Sequence, residues 1–263
     1  MNSTSECTLL ATSIAPHNVE NQQRAIESWL RLGFSVASLN TPSEIDKLKP
    51  LFGNVEFVAV QKDAQADCGK PLVYLNDVVA FLRSRGSPIC GLINSDIHLR
   101  AAPETVQFLL REAGNSMVIA NRIDVSTLDD AAGEIYKFGF DAFLFDRAVL
   151  ETLPATEFCL GQPWWDYWLA SRFINSPQSA PCRFSLKMVA FPFAVHVKHE
   201  KYWDQGGNYE KYGLHFAKCL DPQTHASIQA QSPTAVRNAL HNLSVNVAAT
   251  VLLQGKWISY VPK

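Results

Sequence analysis

The chain has 263 residues, 47% of them hydrophobic and 18% charged, enough apolar side chain for one large core. Its formal net charge of -2 and its pI near 6.4 exclude a global basic field, so nucleic acid is not an expected partner and an anionic membrane surface is not an expected target. The N-terminus has no basic leader and no stretch reaches ~18 uninterrupted apolar residues, so the expectation is a cytoplasmic protein without a transmembrane segment.

Taken in order, Cys7 to Ser13 reads as a strand ending in small hydroxylated residues, followed by a helix over 19–32 whose Ala25, Ile26, Trp29 and Leu30 recur at helical spacing. Gly33 closes that helix, and Phe34 to Leu39 begins a second strand. A short helix over 43–52 and a third strand, Val55 to Val60, come next. A polar loop over 61–70 leads to Pro71 as the first residue of a helix reaching about Arg85. The stretch Ser87 to Arg100, SPICGLINSDIHLR, then holds a fourth, buried strand that stops at Asn94-Ser95-Asp96 and delivers an acid to its carboxyl end, where ligands bind in open α/β sheets. A helix over 103–113 and a strand from Met117 to Ala120 complete an alternation that calls for an α/β fold with a parallel sheet. No G-x-G-x-x-G and no P-loop motif follows any of these strands, so the usual dinucleotide fold and P-loop are not expected.

Beyond Arg122 the rhythm changes. The spacing predicts an acidic loop over 123–134, an aromatic strand over 136–145, a short helix over 146–153, and Trp164-Trp165-Asp166 opening a helix to Phe173. A Ser/Pro/Gln-rich loop over 175–182, a strand from Lys187 to Val195, the pair His196 and His199, and an aromatic loop through Gly213 follow. The stretch 234–253 sets Val236, Ala239, Leu240, Leu243, Val247 and Val251 on one side of a packing helix. The six cysteines, Cys7, Cys68, Cys90, Cys159, Cys182 and Cys219, form no C-x-x-C pair and read as reduced, mostly buried thiols.

Each candidate site residue has two readings. Asp96 at a strand end suits a divalent cation with phosphate oxygens, or else it closes a turn or caps a helix. His196 and His199 are two imidazoles able to face one metal, or hydrogen-bonded loop residues. Asp166 beside Trp164 and Trp165 offers a base next to an aromatic platform for a sugar face; alternatively the tryptophans are core and the acid favours the helix dipole. Asp141 interrupts an apolar strand, at an edge or for function, and Lys70 stands where a helix N-terminus would help it meet a phosphate, or is simply solvated.

Four segments in this order, the strand into Asn94-Ser95-Asp96-Ile97, Gly139-Phe140-Asp141 through Arg147, Gly161-Gln-Pro-Trp164-Trp165-Asp166 through Leu169, and the strand into His196-x-x-His199, resemble the nucleotide-diphospho-sugar transferases of the GT-A fold over residues 7–215. The resemblance implies one GT-A-like, Rossmann-related α/β domain: a mostly parallel central sheet flanked by helices, with a nucleotide-binding half at 1–122, an acceptor and catalytic half at 123–215, and a C-terminal helical extension at 216–263. It further implies a glycosyltransferase moving a sugar from a nucleotide-sugar donor to a glycan or other hydroxyl acceptor, metal-dependent and inverting. The family's D-x-D motif falls on Asn94-Ser95-Asp96, with Asn94 in place of the first acid, and its late histidine ligand falls on His196 or His199, so Asp96 and a histidine would hold Mn2+ or Mg2+. Asp166 takes the position of the general base, Thr12, Ser13 and Lys70 would face the sugar nucleotide with Asn94 and Ser95, and Asp141, Trp164 and Trp165 would line the acceptor side. The asparagine motivates an alternative, a sugar- or nucleotide-binding module that has lost turnover; a third reading is a metal hydrolase using Asp96, His196 and His199.

Overall fold

The computed structural model describes residues 8–137, 139–174, 183–199 and 207–261. The loop over 175–182, residues 200–206 of the aromatic loop, Cys7 and Cys182 lie outside the described residues.

The first half follows the alternation expected of it. Strand β1 (Leu9–Thr12) is buried along its whole length, as a strand covered on both faces must be. Helix α1 (Val19–Arg31) buries Gln22, Ala25, Ile26 and Trp29, one stripe of its surface. After β2 (Ser35–Asn40), helix α2 (Pro42–Leu48) starts from a capping box in which the Thr41 hydroxyl accepts from the Glu44 N–H and the Glu44 carboxylate answers at the Thr41 N–H. Strand β3 (Val55–Ala59), the short α3 (Gln65–Cys68) and α4 (Leu75–Arg83) lead to β4 (Ile89–Ile93).

Two expectations fail in this half. The polar loop over 61–70 contains α3, and the next helix starts at Leu75, not at Pro71. Tertiary pairing overrides the proline signal: Leu72 O accepts from Ala64 N, Val73 O from Leu160 N, and Leu75 N donates to Phe158 O. The backbone of 72–75 is therefore committed to other segments.

Strand β5 (Ile97–Leu99) follows β4 almost at once, and then α5 (Pro103–Ala113), β6 (Ser116–Ala120), β7 (Arg122–Val125) and β8 (Glu134–Ile135). The acidic loop expected at 123–134 is thus bracketed by strand residues. The aromatic strand shrinks to β9 (Ala142–Asp146), followed by α6 (Arg147–Leu150) and α7 (Trp165–Ser171). The strand expected over 187–195 divides into β10 (Ser185–Val189) and β11 (Ala194–Val197), and the break contains Pro192, which has no N–H for a ladder. From Asn208 the expected loop is instead helix α8 (Asn208–Leu220), which leads through α9 (Pro222–Gln229) to the C-terminal helix α10 (Pro233–Gln254) and a last strand, β12 (Lys256–Ile258).

The eight-stranded sheet runs β12-β10-β6-β9-β4-β1-β2-β3. All neighbours are parallel except β9, which lies antiparallel between β4 and β6. One face packs on α4, α6, α7, α8 and α10, the other on α1, α2 and α5, so this is an α/β fold with a mostly parallel sheet covered on both sides. The chain reverses its direction of growth at β1, between β2 and β4, the switch at which open α/β sheets form a crevice beyond the strand ends. A smaller sheet, β5-β11-β7-β8, has β11 antiparallel to β5 and parallel to β7. Because β5 starts four residues after β4 ends and β7 two after β6 ends, this sheet stands beside the carboxyl edge of the large one. Among the described residues no helix is long and apolar enough to cross a membrane.

Candidate functional site

The candidate site starts where β4 stops. Asn94 continues the ladder, its N–H donating to the Asp141 carbonyl, and Ile97 N donates back to Asn94 O, so the chain turns tightly through Ser95 and Asp96 before β5 begins. The Ser95 hydroxyl donates to Gln22 Oε1 on α1 at 2.7 Å. This leaves Asp96 half-buried at the rim.

Register brings the histidines to it. His196 on β11 is paired with Ile97 on one side and with Asp124 on β7 on the other. Its Nε2 lies 3.4 Å from Asp96 Oδ2 and its Nδ1 3.0 Å from Asp124 Oδ1. His199, just past the strand, sets its Nε2 3.1 Å from the same Asp96 oxygen, and the two imidazoles meet edge to face with centroids 4.9 Å apart. One donor atom from each of Asp96, His196 and His199 falls within 4.8 Å of the others. Burial raises the Asp96 carboxyl, but the hydrogen bonds and charges of the two histidines outweigh it and hold the acid well below the ordinary carboxylate range. His98, on the neighbouring strand β5, is buried against Asn21 and pushed down to about 4 by burial, with the Asp96 charge opposing.

A second group continues from the first. The Arg122 guanidinium donates to Asp124 at 2.8 Å and to Asp141 at 3.3 Å and lies 4.1 Å over the Tyr136 ring. Asp141 also accepts from the Asn94 amide at 2.8 Å through the same oxygen, Oδ1, while its Oδ2 is buried without a hydrogen-bond partner among the described residues. Burial raises the Asp141 carboxyl, against the Arg122 charge.

Asp166 sits in the first turn of α7, the place expected for it. Its Oδ2 accepts from the Phe140 N–H at 2.8 Å. Gly139 makes this approach feasible: its φ is +122°, and a Cβ there would stand 3.0 Å from that carboxylate oxygen. Burial, with the Asp141 charge adding to it and the Phe140 bond opposing, raises the Asp166 carboxyl to about 7. The helix begins from Trp164 at φ +83°, a left-handed conformation that a bulky side chain rarely takes. The indole is held there by its bond to Tyr209 O at 2.9 Å and by stacking on Phe216.

That packing corrects the platform reading. Trp164 and Trp165 are 1% and 3% exposed, the first among Tyr167, Tyr209 and Phe216, the second against Phe143. Their faces are occupied inside the protein and present nothing to an acceptor. The placement of Lys70 is corrected as well: with α4 starting at Leu75, it has no helix N-terminus beside it. Thr12 ends β1 with its Oγ1 buried and without a hydrogen-bond partner among the described residues, and Ser13 follows, half-buried. Of the sequence candidates, then, Asp96, His196 and His199 form one cluster, and Asn94 and Asp141 form a second contact leading toward Asp166. Nothing in the sequence marks Arg122 and Asp124, because a strand of four residues beside an acidic loop carries no apolar alternation to reveal its register.

No family model matches the chain, and no curated protein matches it. Solved structures are similar to it at low identity. Staphylococcus aureus TarS matches at 9% identity with a TM-score of 0.47 over 91% of this chain, which spans only 43% of the TarS chain. A mannosyltransferase from Pyrobaculum calidifontis, in complex with GDP-Man and Mn2+, matches at 15% identity and a TM-score of 0.41 over 94% of this chain and 74% of its own. A nucleotide-diphospho-sugar transferase structure from Desulfovibrio desulfuricans matches at 15% identity and 0.37 over 57% of this chain and 69% of its own. No residue role passes from these proteins to this chain.

Proposed function

We propose that the chain is a metal-dependent glycosyltransferase that moves a sugar from a nucleotide-sugar donor to a hydroxyl acceptor with inversion, in the cytoplasm. The observation that carries the reading is the convergence of Asp96, His196 and His199 at the carboxyl end of β4, beside the strand-order switch of the parallel sheet. The donor set fits a divalent ion: one carboxylate held ionised and two imidazoles, one of them bonded through its far nitrogen to a carboxylate. Imidazole nitrogens are softer donors than Mg2+ prefers, so of the two ions expected Mn2+ is the better match. Bound there, the ion would supply neutralisation of the charge on a departing nucleoside diphosphate.

The chain's own residues account for the rest. Asp166, raised to about 7, exchanges its proton near neutral pH and suits a general base for the acceptor hydroxyl. At the end of β1 it is the half-buried Ser13, not the enclosed Thr12, that is placed to meet a nucleotide. The buried cysteines suit the reduced compartment: burial pushes the thiols of Cys90 and Cys159 up to about 12. The test is a panel of sugar nucleotides with Mn2+, read for transfer or donor hydrolysis; absence of binding by any nucleotide, in calorimetry with metal present, refutes the proposal.

A second reading is a binding module of the same fold without turnover. It is favoured by Asn94, whose amide is engaged by Asp141. Wild-type protein that binds a sugar nucleotide and Mn2+ yet never consumes the donor selects it.

A further inference from the structure

We infer that Asp124, held by Arg122, is the positioning residue for the metal-ligating nitrogen of His196. The inference rests on the metal site proposed above and extends it to two residues outside the donor set.

An imidazole can ligate through either nitrogen, and a free side chain samples both ring orientations. What fixes the choice is the bond made by the other nitrogen. His196 is flanked on both sides by register. On β7 its direct partner is Asp124, and on β5 its partner is Ile97, the residue after Asp96. The ring therefore lies in a row between two carboxylates, with Nδ1 3.0 Å from Asp124 and Nε2 3.4 Å from Asp96. Both carboxylates cannot be answered alike once a cation occupies the rim. With the cation bound, the Nδ1–H would donate to Asp124 and Nε2 would turn its lone pair to the ion held with Asp96 and His199.

Asp124 is itself immobilised. The oxygen that faces His196, Oδ1, also accepts from Arg122 Nε at 2.8 Å. Arg122 in turn is fixed by Asp141 at 3.3 Å and by the Tyr136 ring at 4.1 Å. Burial lowers the guanidinium's hold on its proton, but Asp141 and Asp124 outweigh it, so the cation is secured as the counter-charge of the group. The His196 and Asp124 side chains are 7% and 16% exposed, against 33% for His199. The strut is thus shielded from the water that would loosen it, and it acts on the buried ligand.

The experiment measures Mn2+ alone by calorimetry, with no nucleotide, on the full chain and on Asp124→Leu and Asp124→Asn. Carboxylates that bond the far nitrogen of a ligating imidazole change metal affinity ~10–100-fold when removed. Asp124→Leu is expected to weaken Mn2+ binding by about that range, and Asp124→Asn, which keeps an acceptor oxygen at nearly the same place, by several-fold less. Long-range 1H–15N spectra of the protein loaded with diamagnetic Zn2+ supply a second readout: His196 is expected to keep its proton on Nδ1 and to ligate through Nε2 in the wild type, with a mixture of ligating nitrogens in Asp124→Asn. Should Asp124→Leu not fold, Asp124→Asn and the wild-type tautomer decide. Wild-type protein that binds Mn2+ while Asp124→Asn binds it equally, with an unchanged tautomer, overturns the positioning role and leaves the metal site standing. Wild-type protein that binds no Mn2+ overturns both.

Discussion

Replacing Asp166 by Asn tests the base without any knowledge of the substrate. The carboxyl stands at about 7 in the folded protein against an ordinary 3.8. At ~1.4 kcal/mol per pH unit this displacement corresponds to ~4 kcal/mol, and because the side chain is only half-buried, water screens part of it and about 2 kcal/mol is the working figure. The sign follows from proton counting. Between the unfolded and folded values the native state binds the proton and the unfolded chain does not, so this stabilisation is present below 3.8 and is lost as pH rises to about 7. Asp166→Asn has no such group. Urea unfolding of both proteins at about pH 4.5 and about pH 8 should show the variant gaining ~2 kcal/mol on the wild type across the interval. The activity counterpart is an acid limb in the rate with its midpoint near 7, since the base must be ionised to accept a proton. Parallel stability curves for the two proteins would refute the raised carboxyl and with it the reason for choosing Asp166.

Asn94→Asp, which would complete the acidic pair of the resembled family, is expected to impair nucleotide and Mn2+ binding. It sets a second carboxylate against Asp141 where the amide now donates at 2.8 Å, and the double variant with Asp141→Asn should recover most of the loss in the same calorimetric assay. His196→Ala should weaken Mn2+ binding at least ~10-fold and more than His199→Ala does, because the buttressed, buried imidazole loses less freedom on binding; equal losses would count against that order. Gly139→Ala should lower stability by ~1–3 kcal/mol in thermal unfolding, since its φ of +122° is strained for alanine and the new methyl would stand 3.0 Å from the Asp166 carboxylate.

Much of the first 120 residues was legible in the chain, because a parallel strand buried on both faces must be apolar throughout and a crossover helix must carry an apolar stripe. Leu9 to Thr12, the Ile26 and Trp29 face of α1, and Ile89 to Ile93 each satisfy one of these conditions. The C-terminal helix was legible for the same reason, burying Val236, Leu240, Val247 and Val251. Asp96 was placed correctly at a strand end, and Asp166 in the first turn of its helix, since both follow from local signals. Pro71 misled, because its backbone neighbours pair with residues some 85 positions later in the chain, Leu160 bonding to Val73 and Phe158 to Leu75. The tryptophans misled as well, because an aromatic pair looks the same in sequence whether its faces meet solvent or Phe216 and Phe143.

The sequence by itself determined the class of fold and that Asp96 follows a buried strand, through hydrophobic period and turn chemistry that act over a few residues, while His196, expected just after a strand, lies within β11. Only the tertiary structure decided which of them meet. His196 reaches Asp96 and Asp124 because β11 lies between β5 and β7, and Asn94 meets Asp141 because β9 runs antiparallel beside β4. Strand register is set by pairing between segments about 50 to 100 residues apart, and no local pattern in a strand of three or four residues encodes which neighbour it will find.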